Sequence, residues 1–266
     1  MSSKKIENVR MLLGLGSEEF NKGNNEKARQ AFEAAIALNP DFDGSYSNLA
    51  DLLTQIGDKA GAKQVLEYCF QNVNPKSGEI AFSLGARYLD EGLIEQTKDC
   101  MHVALEADDS DVEAMAILAE AYSKENDVSN ESHWCEKIVS TPGASSAAVG
   151  QAYCNLGVIN AGKEREIEFY KKSIDLLPDR FVPRYSLGCA YATKKDYDRA
   201  IETFHGAIDV VEKYSEEDKR ALQTLYRCVS LKLQAEKTAS SQEEAVKTFM
   251  KLIGEDNYQR LASMGR

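Results

Sequence analysis

Leucine followed by glycine or alanine returns along this chain at nearly constant intervals. The pairs are Leu15-Gly16, Leu49-Ala50, Leu84-Gly85, Leu118-Ala119, Leu156-Gly157 and Leu187-Gly188, spaced by 34, 35, 34, 38 and 31 residues. Such a period means that one supersecondary unit is copied. Units that bury only part of their apolar surface must stack on their neighbours to complete a core. Each unit reads as two helices. The first, of roughly 14 residues, is expected to end at a residue that tolerates the left-handed conformation: Gly23, Gly57, Gly92 or Asn126. The second carries a small residue, a large one four places on and a small one three places further, clearest in Ala28-Phe32-Ala35 and Ala200-Phe204-Ala207. Pro40, Pro75 and Pro178 then stop second helices, since proline cannot continue one.

Volume explains the spacing. Antiparallel helices approach closely only where one offers Gly or Ala and the other fills the gap with a large side chain. In the last clear unit the first helix supplies Gly188 and Tyr191, and the second supplies Ala200, Phe204 and Ala207.

This alternation resembles the tetratricopeptide repeat. YSLGCAYATKKDYDRAIETFHGAI and GLGSEEFNKGNNEKARQAFEAAIALNP are similar to its consensus at nearly every signature position. The resemblance covers residues 7–211 in six units and implies an all-α, right-handed superhelical solenoid of antiparallel helix pairs, as a single domain over 1–266. The repeats are expected at about 9–42, 43–76, 78–111, 112–142, 150–180 and 181–213. A degenerate seventh repeat and capping region is expected over 216–266: an over-long helix from about Glu216 to Ala239, the second-helix set Ala245-Phe249-Leu252, and the tail NYQRLASMGR covering the last apolar face. Two units depart from the pattern. Glu131 and Glu166 stand where a small residue belongs, and the fifth unit is about three residues short in its turn. Between these units STPGASSAAVG, residues 140–150, is the best place for a loop or hinge.

Composition narrows the function classes. Asp and Glu exceed Lys and Arg by 43 to 32, a net charge of −11, with no long basic run. Phosphate neutralisation needs clustered cations, so neither nucleic acid nor an anionic membrane surface is an expected partner. No segment approaches the roughly 20 apolar residues of a membrane span, and MSSKKIENVRMLLGLG lacks the core and cleavage site of a signal peptide. Six scattered cysteines without a C-x-x-C pair fit free thiols in a reducing compartment. The expected setting is the cytoplasm, with the nucleus as the alternative.

No catalytic constellation emerges, and neither a metal nor a cofactor is expected. His102 lies two residues from Cys100 and His133 two from Cys135, so on a helix the members of each pair point apart. LGLG, residues 13–16, lies within an expected helix rather than after a strand. Cys69 and Cys135 read as core residues, and Trp134 as packing in unit four. Cys154 and Cys189 fall on the inner side of first helices and are the thiols expected to be reachable.

The resemblance further implies that first helices line a concave groove that holds a peptide. Its positions here include Asn48, Asp51 and Gln55, then Glu79 and Phe82, then Glu113 and Glu120, then Gln151 and Asn155, and finally Tyr185 and Cys189. The front half is acidic, which points to a protein or peptide partner with basic residues near Asp51, Glu79 and Glu120. Asn48 and Asn155 could grip a peptide backbone, since an amide both donates and accepts. The carboxylate clamp of heat-shock-chaperone binders needs Lys-Asn, Asn and Lys-Arg across three units. This chain offers Leu13 and Ser17, Asn48, then Glu79 and Ser83; a second frame gives Ala116 and Glu120, Asn155, then Val182 and Ser186. Glu79 would repel a carboxylate, so that clamp is disfavoured. The resulting expectation is a non-enzymatic interaction scaffold or adaptor. Two alternatives stand beside it: a holding chaperone or co-chaperone for an aggregation-prone client, and thiol-regulated or enzymatic activity through Cys154 or Cys189.

Overall fold

In the computed structural model the described residues are 3–213, 215–236 and 242–264, apart from the side chains of 3, 234–236, 242–246, 249 and 264. Every regular element among them is an α-helix, and the chain divides into two compact units, Met1–Trp134 and Cys135–Arg266. The first unit holds α1 (Ser3–Asn21), α2 (Asn25–Leu38), α3 (Asp43–Gln55), α4 (Lys59–Asn72), α5 (Gly78–Asp90), α6 (Ile94–Ala107) and α7 (Val112–Lys124). The division falls within α8 (Val128–Ser140). The second unit continues with α9 (Ser146–Ile159), α10 (Glu166–Leu176), α11 (Phe181–Thr193), α12 (Tyr197–Ile208), α13 (Glu216–Glu236), α14 (Gln242–Ile253) and α15 (Glu255–Met264). In the first unit α1 packs on α2, α3 on α4 and α5 on α6; each pair then seats the next first helix, α2 against α3, α4 against α5 and α6 against α7. The second unit repeats the scheme from α9 to α13.

The turns inside five of the pairs, α1–α2, α3–α4, α5–α6, α7–α8 and α11–α12, are built the same way. Asn24, Asp58, Leu93, Asp127 and Asp196 each donate a backbone N–H to the carbonyl five residues back, at 2.8–3.0 Å. That bond requires the residue before the donor to be left-handed, and Gly23, Gly57, Gly92, Asn126 and Lys195 have φ of 79°, 90°, 75°, 59° and 60°. Four of these five are the residues expected from the sequence. The fifth, Lys195, is a side chain held where only glycine is unstrained. Lys195→Gly is therefore expected to stabilise the protein by about 0.5–1 kcal/mol, read as a higher urea midpoint at unchanged slope; an unchanged or lower midpoint would mean the turn stores no such strain.

The gap-and-plug pairs meet as volume requires. A methyl built on Gly188 would stand 2.7 Å from Phe204 Cε1, and Gly16 and Gly157 lie as tightly against the rings of Phe32 and Tyr170. In the fifth repeat α9 ends three residues after Leu156, where the other first helices of the repeats run six past the same leucine, and α10 lacks its first turn. Residues 160–165 form a six-residue loop, whereas α1–α2, α3–α4, α5–α6, α7–α8 and α11–α12 are each joined by three residues. Glu166 consequently opens α10 instead of lying one turn inside it, and its buried carboxylate accepts the Gly162 N–H at 2.9 Å. Ser173 ties α10 to α9 by donating to the Gly150 carbonyl at 2.7 Å. Glu131 in α8 is half-buried, and that burial pushes its carboxyl up despite a hydrogen bond with Ser123. The segment between α8 and α9 is a loop, with Gly143 at φ 80°.

At the C-terminal end α13 is 21 residues long and packs Ala221, Leu222, Leu225 and Val229 into the second core. Its expected continuation from 237 to 239 lies outside the described residues, as do the side chains of Ala245 and Phe249. A polar lock fastens α15. Arg260 Nη1 donates to both carboxylate oxygens of Asp218 at 2.7 and 2.9 Å, and both side chains are buried. Arg260 Nη2 also donates to Asn257 Oδ1. His205 on α12 reaches the Leu252 carbonyl through Nε2 at 2.8 Å, which ties the cap to the last regular pair.

Candidate functional site

In the first unit α3 touches α5 and α5 touches α7, so these first helices share a face. Asp51 and Gln55 on α3, Glu79 on α5 and Glu113 and Glu120 on α7 are exposed there, while Asn48 and Phe82 are half-buried. The acids are not evenly matched by cations. Arg87 on α5 donates to the Ser83 carbonyl at 2.9 Å and to Thr54 Oγ1 on α3, so one guanidinium braces two helices. Lys124 pairs with Glu120 along α7 at 3.4 Å. Although exposed, the Asp51 carboxyl is pushed above its usual range, chiefly by the neighbouring helices that keep water from part of it; Glu79 adds to the shift and Arg87 opposes it. The Asn48 amide donates to the Gly44 carbonyl of its own helix at 2.6 Å, so a peptide recruiting that N–H must displace an existing bond.

The second unit presents a less charged face. On α9 the Gln151 amide donates to Asn155 Oδ1 at 3.0 Å, one turn apart, and Val158 lies exposed beyond them. On α11 Val182 is exposed and Tyr185 is half-buried, its ring 5.3 Å from Phe181 and 5.8 Å from Phe204, its hydroxyl 3.1 Å from Thr224 Oγ1 on α13. Tyr185 is thus a wall of the core as much as a contact surface.

Cys189 is half-buried, but Cys154 is not reachable as expected. It lies in the core cluster with Tyr170 and Phe181, because the tight approach of α9 and α10 turns that position inward. Burial pushes the thiols up: Cys69 and Cys228 to about 11, Cys100 to about 12, with Cys154 and Cys189 also raised. A raised thiol is little ionised at neutral pH and is a poor nucleophile. Iodoacetamide at pH 7 is therefore expected to label Cys189 slowly and Cys154 only after denaturation; rapid labelling of either in the native protein would contradict this. Trp134 is buried with its ring 5.9 Å from His102 and 5.2 Å from His133.

One recurrent contact was missed in the sequence. Lys63 on α4 pairs with Glu91 at 2.6 Å and lies 5.7 Å from the Tyr88 ring; Lys98 on α6 pairs with Glu125 at 2.9 Å and lies 5.3 Å from the Tyr122 ring. Each lysine spans from one repeat's second helix to the next repeat's first helix. The signal was legible as Lys, Tyr and Glu recurring at the repeat period.

A TPR-repeat profile matches residues 16–57, and a tetratricopeptide-repeat profile matches residues 184–210. The chain carries tetratricopeptide repeats (TPR) at these two stretches. No curated protein matches it in sequence. Solved structures share its fold. YrrB, described as a TPR protein with an unusual peptide-binding site, superposes with a TM-score of 0.61 at 18% identity, over 73% of this chain and 99% of that one. A tetratricopeptide repeat protein from Parabacteroides merdae gives 0.62 at 14% identity, over 92% and 98%. The Cut9–Hcn1 hetero-tetramer of the APC/C gives 0.56 at 14% identity, over 82% of this chain but 43% of that one. These likenesses concern the TPR fold alone. Among the described residues no helix is long and apolar enough to cross a membrane.

Proposed function

We propose that this TPR chain is a non-enzymatic scaffold or adaptor whose first-helix faces hold a segment of a partner protein. The observation that carries the reading is the placement of Asp51, Gln55, Glu79, Glu113 and Glu120, all exposed on the adjoining first helices α3, α5 and α7. Four of the five are acids, set against Arg87 beside Asp51 and Lys124 paired with Glu120. A segment carrying Lys or Arg would supply the missing charge and gain favourable encounter electrostatics. On the second unit, Gln151 and Asn155 offer amides, and Val158, Val182, Tyr185 and Cys189 offer small and apolar contacts. The peptide-binding site of YrrB and the assembly of Cut9 with Hcn1 are precedents for such use of the fold. The raised thiols speak against chemistry at cysteine, and six free thiols suit a cytosolic or nuclear setting.

Peptide arrays with charge-swapped sequences test the reading. Basic peptides should be retained over their acidic counterparts, and Glu79→Lys with Glu120→Lys should abolish the preference. Equal retention of both signs would remove the electrostatic argument. Capture of many unrelated unfolded clients in place of one stoichiometric partner would favour a holding chaperone.

A further inference from the structure

The bridge from Lys63 on α4 to Tyr88 and Glu91 returns one repeat later as Lys98 with Tyr122 and Glu125. One repeat earlier, where α2 meets α3, it is incomplete. By the 34- and 35-residue spacing of the repeating Leu pairs, Arg29 corresponds to Lys63, Leu53 to Tyr88 and Ile56 to Glu91. The cation is kept, but its aromatic and acidic partners are not. Arg29 turns instead to Glu33 of its own helix, at 2.8 Å. In the next repeat the acid corresponding to Glu33 is Glu67, which accepts the Tyr88 hydroxyl at 3.0 Å while Lys63 lies 5.7 Å from the Tyr88 ring. Leu53 brings neither a ring to Arg29 nor a hydroxyl to Glu33.

The shorter side chain leaves a cavity of about 370 Å³. Buried Tyr46, Leu49 and Leu53 on α3 form its floor, and Arg29 and Glu33 on α2 and Tyr68 on α4 form its walls. Tyr68 is 56% exposed and stacks on Tyr46, ring centres 6.0 Å apart. Each wall group suits one part of a phenol: Tyr68 offers an aromatic face, Arg29 a cation for the ring, and Glu33 an acceptor for the hydroxyl. An uncharged group also suits the surroundings, since Glu26, Glu33 and Asp58 all act on the Arg29 charge and would repel an anion. We propose that this cavity takes a tyrosine side chain of a partner protein, completing from outside the contact that Tyr88 completes from within one repeat later. The cavity opens between second helices, so the proposal is independent of the acidic first-helix face.

Titrating uncharged N-acetyl-tyrosinamide into the full chain, followed by NMR, tests this. Saturable binding at millimolar concentrations is expected, with the largest shifts at Arg29, Glu33 and Tyr68. N-acetyl-phenylalaninamide should bind about three- to tenfold more weakly, because it lacks the hydroxyl that Glu33 accepts. Glu33→Ala, at an exposed position, should remove that difference. Leu53→Tyr should fill the cavity and abolish binding of both probes. Should Leu53→Tyr disturb folding, the Glu33→Ala comparison still decides. Failure to saturate, shifts centred on Asp51 and Glu79 instead, a folded Leu53→Tyr variant that binds as before, or a tyrosine preference that survives Glu33→Ala would each overturn the proposal.

Discussion

Asp218→Ala is expected to destabilise the second unit by about 3–5 kcal/mol, because it leaves the buried Arg260 guanidinium without its buried carboxylate, with only Asn257 and the exposed Asp256 at 3.5 Å to answer it. The two residues lie 42 apart in the chain, one on α13 and the other on α15, so losing the pair should release α15 first. Hydrogen exchange would then show the amides of 255–264 opening well before those of α11 and α12. Replacing Asp218 and Arg260 together by apolar residues of similar volume should cost far less than either single change, since the large term is the stranded charge and not the attraction. A loss below about 1 kcal/mol for Asp218→Ala would show that the cap is held by apolar packing alone.

Phe204→Ala should cost about 3–5 kcal/mol in urea unfolding. Phe204 is fully buried, its ring is pressed onto Gly188, and it supports Tyr185. The reciprocal change, Gly188→Ala, forces a methyl into that ring and should cost about 1–3 kcal/mol. Gap and plug form one unit, so the two costs should not add: once the ring is gone, Gly188→Ala meets empty space and becomes nearly neutral. Additive losses would mean the two residues do not pack as a pair.

What the sequence disclosed and what it concealed follow from the range of the interactions. Pair packing was legible because volume must match locally and repeats at a fixed distance, as in Gly16 with Phe32 and Gly188 with Phe204. The turns were legible at Gly23, Gly57, Gly92 and Asn126, whose residue types tolerate a left-handed backbone. Lys195 was not, since there the hydrogen bond from Asp196 to Tyr191 imposes the conformation on a residue that does not favour it. The shortened fifth repeat was visible as three absent residues. That they come from the end of α9 and the start of α10, with Glu166 capping the longer loop between, is not revealed by a count. The first-helix residues Asp51, Glu79 and Glu120 are exposed, whereas Cys154 on α9 is buried in the core cluster. The Asp218–Arg260 pair has no periodic partner, so nothing in the repeat pattern announced it.

In the proposed function, first helices and not second helices carry the binding face. A Lys- and Arg-rich peptide bearing a photo-reactive group, crosslinked to the full chain and mapped by mass spectrometry, addresses it directly. Crosslinks are expected on α3, α5 and α7 near Asp51, Glu79 and Glu120, and should fade with added salt. Crosslinks concentrated on α2, α4 and α6, or unchanged by Glu79→Lys, would contradict the account.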